Sequence, residues 1–131
     1  MNYSEQIRNA YRPMKHMTED RDTPAPALAD VAFHVLLALG SGPSHGYAIG
    51  KHVQDQSGGR LDPTTGALYQ VLRRLTEGRL ITPVEGPADA DPRRKYFALT
   101  GRGRAAAAAE ARRLDALVRA ARRQKLYPQR T

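Results

Sequence analysis

The chain has no cysteine, which excludes a disulfide scaffold, a thiolate zinc site and a cysteine nucleophile. It also lacks a long apolar run. A membrane span needs about 20 consecutive apolar residues, and the longest candidate, Val31 to Leu39, is too short and is broken by His34. No charged-then-apolar leader opens the sequence, so a cytoplasmic protein with no membrane partner is expected. Catalytic signatures are equally scarce. There is no Gly-rich phosphate loop, no nucleophile elbow and no pair of carboxylates in an apolar setting. The chain therefore reads as a non-enzyme without a cofactor. His34, His45 and His52 invite a metal, and His45 and His52 are spaced to share a helix face. No HExxH and no acidic residue at zincin-like spacing accompanies them, so they read as packing or capping residues, and no metal is expected. Internal repeats are absent as well.

What is present is a short, basic chain. Its 131 residues suffice for one compact domain and an appended helix. Hydrophobic residues make up 40%, too many for wholesale disorder. The net charge of +8 suits a polyanionic partner, most often nucleic acid. The excess is uneven: residues 1–59 carry a net −1, residues 60–100 a net +2 and residues 101–131 a net +7. Charge alone therefore does not single out the middle of the chain as the reader of nucleic acid.

Periodicity gives the order of elements. Residues 1–26 read as an arm or leader, with Ser4 placed to cap a short helix over 5–12 and Thr23-Pro24-Ala25-Pro26 as a boundary. Leu28, Val31, Ala32, Val35, Leu36 and Leu39 follow a helical stripe without a miss. The Gly40–Pro43 stretch ends it. A second helix is expected over about 44–56, capped by Ser44, with Tyr47, Ile49 and Val53 facing inward. Asp62 then caps a third helix with Pro63 at its first position, and Leu68, Val71, Leu72 and Leu75 are its buried stripe. After Gly78 the pattern changes to two short strands, 80–84 and 95–99, around a hairpin tip rich in Gly, Pro, Ala and Asp. A last helix spans about 101–126. The fold class is mainly α with a small β-hairpin: a winged helix-turn-helix over residues 27–100 and a C-terminal dimerisation helix and tail over 101–131. In such a fold the third helix enters the major groove and the hairpin touches an adjacent groove or the phosphates.

The third helix carries Thr64, Thr65, Gly66, Tyr69, Gln70, Arg73 and Arg74 off its buried stripe. Hydroxyls and a phenol suit phosphate oxygens, Gln an adenine edge, and Arg guanine or phosphate. An ordinary solvated amphipathic helix would look similar. The wing carries Arg93-Arg94-Lys95 followed by Tyr96. Three consecutive cations favour an anionic neighbour, either a phosphate backbone or the nearby Asp89 and Asp91.

Three motifs, in order and in register, closely resemble the PadR family of transcriptional regulators. They are Gly42-Pro43-Ser44-His45-Gly46-Tyr47-Ala48-Ile49, Thr65-Gly66-Ala67-Leu68-Tyr69-Gln70-Val71-Leu72-Arg73-Arg74-Leu75, and Arg93-Arg94-Lys95-Tyr96-Phe97-Ala98-Leu99-Thr100. The match runs over about residues 28–125. It departs at Ala67, where the family usually has Thr, at Thr65, where it often has Pro, and at Phe97 in place of a second wing Tyr. The resemblance implies a homodimeric, usually repressing regulator of double-stranded DNA. It also implies that small molecules such as phenolic acids or drugs release many members from DNA. The single C-terminal helix is similar to the smaller branch of the family. By the same likeness Tyr69 and its neighbours meet the DNA backbone, and Lys95 with the wing arginines contacts phosphates.

Assembly follows from the last helix. Its stripe of Leu114, Leu117, Val118 and Ala121 is too far along a long helix to be covered by three short ones, so a second copy of the chain is expected to cover it. A two-fold dimer implies an inverted-repeat operator. An effector cavity between the last and first helices would be lined by Val31, Val35, Leu114 and Val118, with ordinary dimer core as the alternative. No aromatic precedes Tyr127 in the last helix, which leaves a flat ring few stacking partners there. The rival to a DNA-binding regulator is a small basic protein–protein interaction module without specific DNA binding.

Overall fold

The computed structural model describes residues 30–128. The N-terminal arm of residues 1–26, the helix that Ser4 would cap, the boundary at Thr23 to Pro26, and Leu28 lie outside the described residues. Within them the order is α1 (Asp30–Ala38), β1 (Ser44–His45), α2 (Gly46–Gln56), α3 (Thr65–Glu77), β2 (Ile81–Val84), β3 (Tyr96–Leu99) and α4 (Gly101–Arg123). The three helices and the wing appear where hydrophobic periodicity placed them. No helix among the described residues is long and apolar enough to cross a membrane.

The core is one cluster. Val31, Ala32, Val35, Leu36 and Leu39 from α1 and its end meet Ile49 and Val53 of α2, Leu68, Val71, Leu72 and Leu75 of α3, and Leu80, Ile81 and Phe97 of the wing. Burying each large aliphatic side chain contributes about 1.5–3 kcal/mol, so these few positions dominate the stability of so small a domain.

Several boundaries move, each for a local reason. The cap of α2 is His45, whose Nδ1 accepts from the Ala48 N–H at 3.4 Å, and not Ser44. Ser44 and His45 are instead held in extended form as β1, opposite Phe97 and Tyr96. The hairpin is thereby a three-stranded antiparallel sheet with β3 in the middle, in the order β1-β3-β2. The cap of α3 is Thr64, whose hydroxyl accepts from the Ala67 N–H at 3.1 Å, and not Asp62. The Ser57 hydroxyl accepts from the Leu61 N–H at 2.9 Å, and its own O–H lies nearest the Gln54 carbonyl at 3.1 Å, which keeps that stretch in a turn. Tyr47 faces outward, 73% exposed, because it lies off the Ile49–Val53 face of α2.

The helix α3 stops at Gly78, but the left-handed residue is Arg79, at φ 63°. Its turn is closed by the Leu80 N–H donating to the Leu75 carbonyl at 2.9 Å, the six-to-one bond of a Schellman ending. This delivers Leu80 and Ile81 into the core and points the Arg79 carbonyl at Thr100. The Thr100 hydroxyl donates to the Arg79 and Leu80 carbonyls at 2.7 and 3.0 Å and accepts from the Gly103 N–H at 2.9 Å. One side chain thus joins the end of α3, the sheet and the start of α4.

The helix α4 divides into two halves. Gly103 and Glu110 are buried on it, and Ala106 and Ala107 pack against the chain's own core. The front of the alanine run therefore lets α4 approach its own domain. Glu110 bonds Arg113 through both carboxylate oxygens, the Arg113 Nε standing 2.9 Å from Oε1. This pair raises the Arg113 pKa, with Asp30 of α1 adding a smaller attraction. Beyond it the helix leaves the core: Leu114 is 37% and Leu117 55% exposed, while Val118 and Ala121 are half-buried.

Candidate nucleic-acid interface

The outward face of α3 is built by the cap and the stripe together. Thr64 fixes the first turn, and burial of Leu68, Val71, Leu72 and Leu75 fixes the rotation. Thr65, Tyr69, Gln70 and Arg73 are then exposed, and Arg74 is half-buried. Thr64 uses one lone pair on Ala67, which leaves its O–H and a second lone pair for an external partner. The Tyr69 ring lies against the start of α2. A Cβ at Gly46 would stand 2.5 Å from the Tyr69 hydroxyl and 2.9 Å from Cζ, so only glycine there admits the ring. The second motif's tyrosine thus depends on the first motif's glycine.

The same corner receives the wing. β3 places Tyr96 edge-on to the His45 ring, with centroids 5.2 Å apart, and Arg94 lies 3.0 Å from His45 Nε2. The Tyr47 ring stacks on His45 at 6.5 Å. His45, Tyr47, Ala48, Lys51, His52, Asp55 and Arg94 line a groove of about 400 Å³. Burial lowers the His45 pKa, and the Arg94 cation lowers it further.

The wing cations differ from one another. Arg93 turns back onto Asp91, with guanidinium–carboxylate distances of 3.1 and 3.2 Å, and a third bond comes from its own N–H at 2.9 Å. These bonds hold the Asp91 carboxyl below its usual range. Lys95 and Arg94 line a second cavity, about 440 Å³, on the inside of the wing with Tyr96, Val84 and Gly86. A Cβ at Gly86 would stand 2.6 Å from the Tyr96 ring, which explains glycine at the end of β2.

Tyr69, Arg94 and the base of the wing are therefore brought together through the start of α2, while Arg93 is engaged locally. Sequence reasoning turned Tyr47 inward and passed over Lys51 and the groove-facing side of His45. The signal was available in the phase of α2: a tyrosine two residues ahead of Ile49 sits across the helix from the buried face. Of the four positions expected to line an effector cavity, Val31 and Val35 belong to the protomer's own core, at 5% and 0% exposure, and Leu114 and Val118 lie on the outer half of α4. Neither groove described above is lined by any of them. His34 bonds Gln56 at 3.3 Å, and no group of three metal-ligating side chains occurs among the described residues.

A family model, that of the transcriptional regulator PadR-like family, matches residues 35–109. The chain belongs to the PadR-like family. The matched segment holds the last four residues of α1, all of α2, α3 and the wing, and the first nine residues of α4. Solved PadR-like folds superpose on it. A PadR family transcription regulator from Clostridium difficile does so with a TM-score of 0.61 at 20% identity, over 71% of this chain and 95% of that one. A transcriptional regulator from Clostridium thermocellum gives 0.60 at 22% identity, over 71% and 87%. Among curated sequences, an uncharacterized 37.1 kDa protein in transposon TN4556 of Streptomyces fradiae is 43% identical over 75 residues, 57% of this chain. This PadR-like chain spans only a fifth of that relative's length, 20%. The family and these structural neighbours are transcriptional regulators, not enzymes.

Proposed function

We propose that this chain is a homodimeric, sequence-specific DNA-binding regulator, most simply a cytoplasmic repressor, whose residues 27–100 read DNA and whose residues 101–131 dimerise. One observation carries the reading. The exposed face of α3, the start of α2 and the base of the wing are joined through the Gly46–Tyr69 and His45–Arg94 contacts into one surface bearing Lys51, Arg73 and Arg94. In this reading α3 enters the major groove. Thr65, Gln70 and Arg73 reach base edges. Thr64, Tyr69, Arg74, Arg93, Arg94 and Lys95 engage the backbone.

The exposed Leu114 and Leu117 support a second copy on the outer half of α4, with Val118 and Ala121. Two α3 helices would then lie about one DNA turn apart, roughly 34 Å, and the operator is an inverted repeat. A small-molecule effector would act between the two copies, against Leu114 and Val118. Val31 and Val35 would join it only if α1 shifted, since both are already covered.

The test is fluorescence anisotropy on duplex DNA from the intergenic region flanking the chain's own gene, as a function of salt. Arg94→Ala and Lys95→Ala should each reduce the log–log salt slope by about 0.9 for every phosphate no longer neutralised. Parent affinity and slope in both variants would refute the surface. Gln70→Ala should relax the preference at one base pair, since a bidentate hydrogen-bond pair to a base edge is worth about 1–3 kcal/mol of discrimination.

A further inference from the structure

The His45 ring occupies a position that its own chemistry cannot fully satisfy. The Ala48 N–H points at Nδ1 from 3.4 Å, and the Arg94 guanidinium points at Nε2 from 3.0 Å. A backbone amide and a guanidinium are both pure donors, whereas a neutral imidazole has one acceptor nitrogen and one N–H. Only one contact can be a hydrogen bond at a time. If Nε2 accepts from Arg94, the cap of α2 is lost. If Nδ1 accepts from Ala48, an N–H faces a guanidinium. A protonated ring accepts neither and adds a second cation beside Arg94.

The surroundings say what would relieve this. His45 faces Arg94 from the wing and the Tyr96 ring edge from β3, and Tyr69 of α3 lies against Gly46 beside it. From α2 the groove is lined by Tyr47, Lys51, His52 and the carboxylate of Asp55. Lys51 and Arg94 outnumber Asp55, and the groove is open to solvent beside the proposed DNA surface. A phosphate entering it would accept from Arg94 through one oxygen and from an imidazolium N–H through another, giving both donors an acceptor.

We propose that His45 takes up a proton when a DNA phosphate occupies the groove between the wing and α2, so that it becomes a cationic phosphate ligand in the complex. The proposal rests on the DNA-binding reading above. The free protein disfavours imidazolium, through burial and then through Arg94, and the bound phosphate favours it. The sign follows: a group that binds its proton more tightly in the complex makes affinity rise as pH falls from the complex's pKa towards the free protein's. Affinity is flat above and below that window. Because burial and Arg94 lower the free protein's value, the window extends upward from below the ordinary histidine range. The steepest dependence is about tenfold in affinity per pH unit for each His45.

The experiment titrates a fluorescein-labelled duplex of random sequence, about 30 base pairs long, with the full chain at low constant ionic strength, where phosphate contacts dominate. It is repeated from about pH 5.5 to 8.5, the span in which histidines ionise. The parent should bind more tightly at the acid end. His45→Gln and His45→Asn, which cannot ionise, should bind with an affinity that is flat across the range. His52→Gln and His34→Gln should keep the parent's dependence. In the parent, the His45 ring proton signals in NMR should titrate at higher pH with duplex than without, a readout that needs no variant. Detectable but pH-independent binding by the parent overturns the proposal, and so does a dependence that survives in both His45 variants or disappears in His52→Gln. Absence of duplex binding at every pH refutes the DNA-binding reading itself, and the two failures are told apart by the alkaline-end affinity.

Discussion

Gly103→Ala should destabilise the protein although helix propensity argues the reverse. Within a helix, alanine is favoured over glycine by about 1 kcal/mol. At this position, however, a Cβ would stand 1.9 Å from the Leu80 carbonyl oxygen and 2.9 Å from Leu99 Cδ1. Carbon atoms in good contact lie about 3.5–4.0 Å apart, so the first turn of α4 would have to withdraw by about 1.5 Å. That turn is tied by the Thr100 N–H to the Leu80 carbonyl at 3.1 Å and by the Thr100 hydroxyl to Arg79, Leu80 and Gly103. Each such bond contributes about 1 kcal/mol net. Losing two to four of them, less the propensity gain, leaves a deficit of about 1–3 kcal/mol. For a domain of this size that is a fall in Tm of about 5–20 °C, read by thermal and urea melts at fixed protein concentration. Gly101→Ala is the control. Nothing lies within 4 Å of a Cβ there, so it should be neutral or slightly stabilising. A Gly103→Ala protein at least as stable as the parent would refute the close approach of α4 to β2.

Two further outcomes are expected. Leu117→Glu should leave the protomer folded, since the side chain is 55% exposed, but light scattering should show a monomer and affinity for an inverted repeat should collapse; a variant that binds undiminished removes α4 from the dimer. Asp91→Asn should release Arg93 from its bidentate partner and tighten DNA binding at low salt; parent-like affinity would mean that the Asp91 pair does not hold Arg93 back from the DNA.

The parts of this fold that were legible in the sequence are those written in a repeating period. The α1 stripe and Leu68, Val71, Leu72 and Leu75 recur over several turns, and their burial follows. β1 was not legible, because two residues have no period and Ser44 and His45 become a strand only through Phe97 and Tyr96, some fifty positions away. Tyr47 was misjudged on residue type against phase: a tyrosine is a large apolar side chain, but its turn of α2 points outward. The cap of α3 was read as Asp62 before Pro63, two residues ahead of Thr64, whose hydroxyl holds the first turn. At the candidate site, the cations of the wing were visible as a run. Arg93 on Asp91 is the local alternative that spacing had offered, whereas Arg94 on His45 is a tertiary contact that spacing does not encode.

The close seat of Gly103 on Leu80 also makes α4 a lever with its fulcrum at one end. Twenty residues separate Gly103 from Arg123 at the helix end, an arm of about 30 Å at 1.5 Å per residue. A tilt of about 10° at that fulcrum would carry the far end sideways by roughly 5 Å, which is about one and a half base-pair steps of about 3.4 Å. In the proposed dimer, substitutions around Leu80 and Leu99, outside the proposed DNA surface and the outer stripe of α4, would thus retune the half-site separation it tolerates without altering a single base contact.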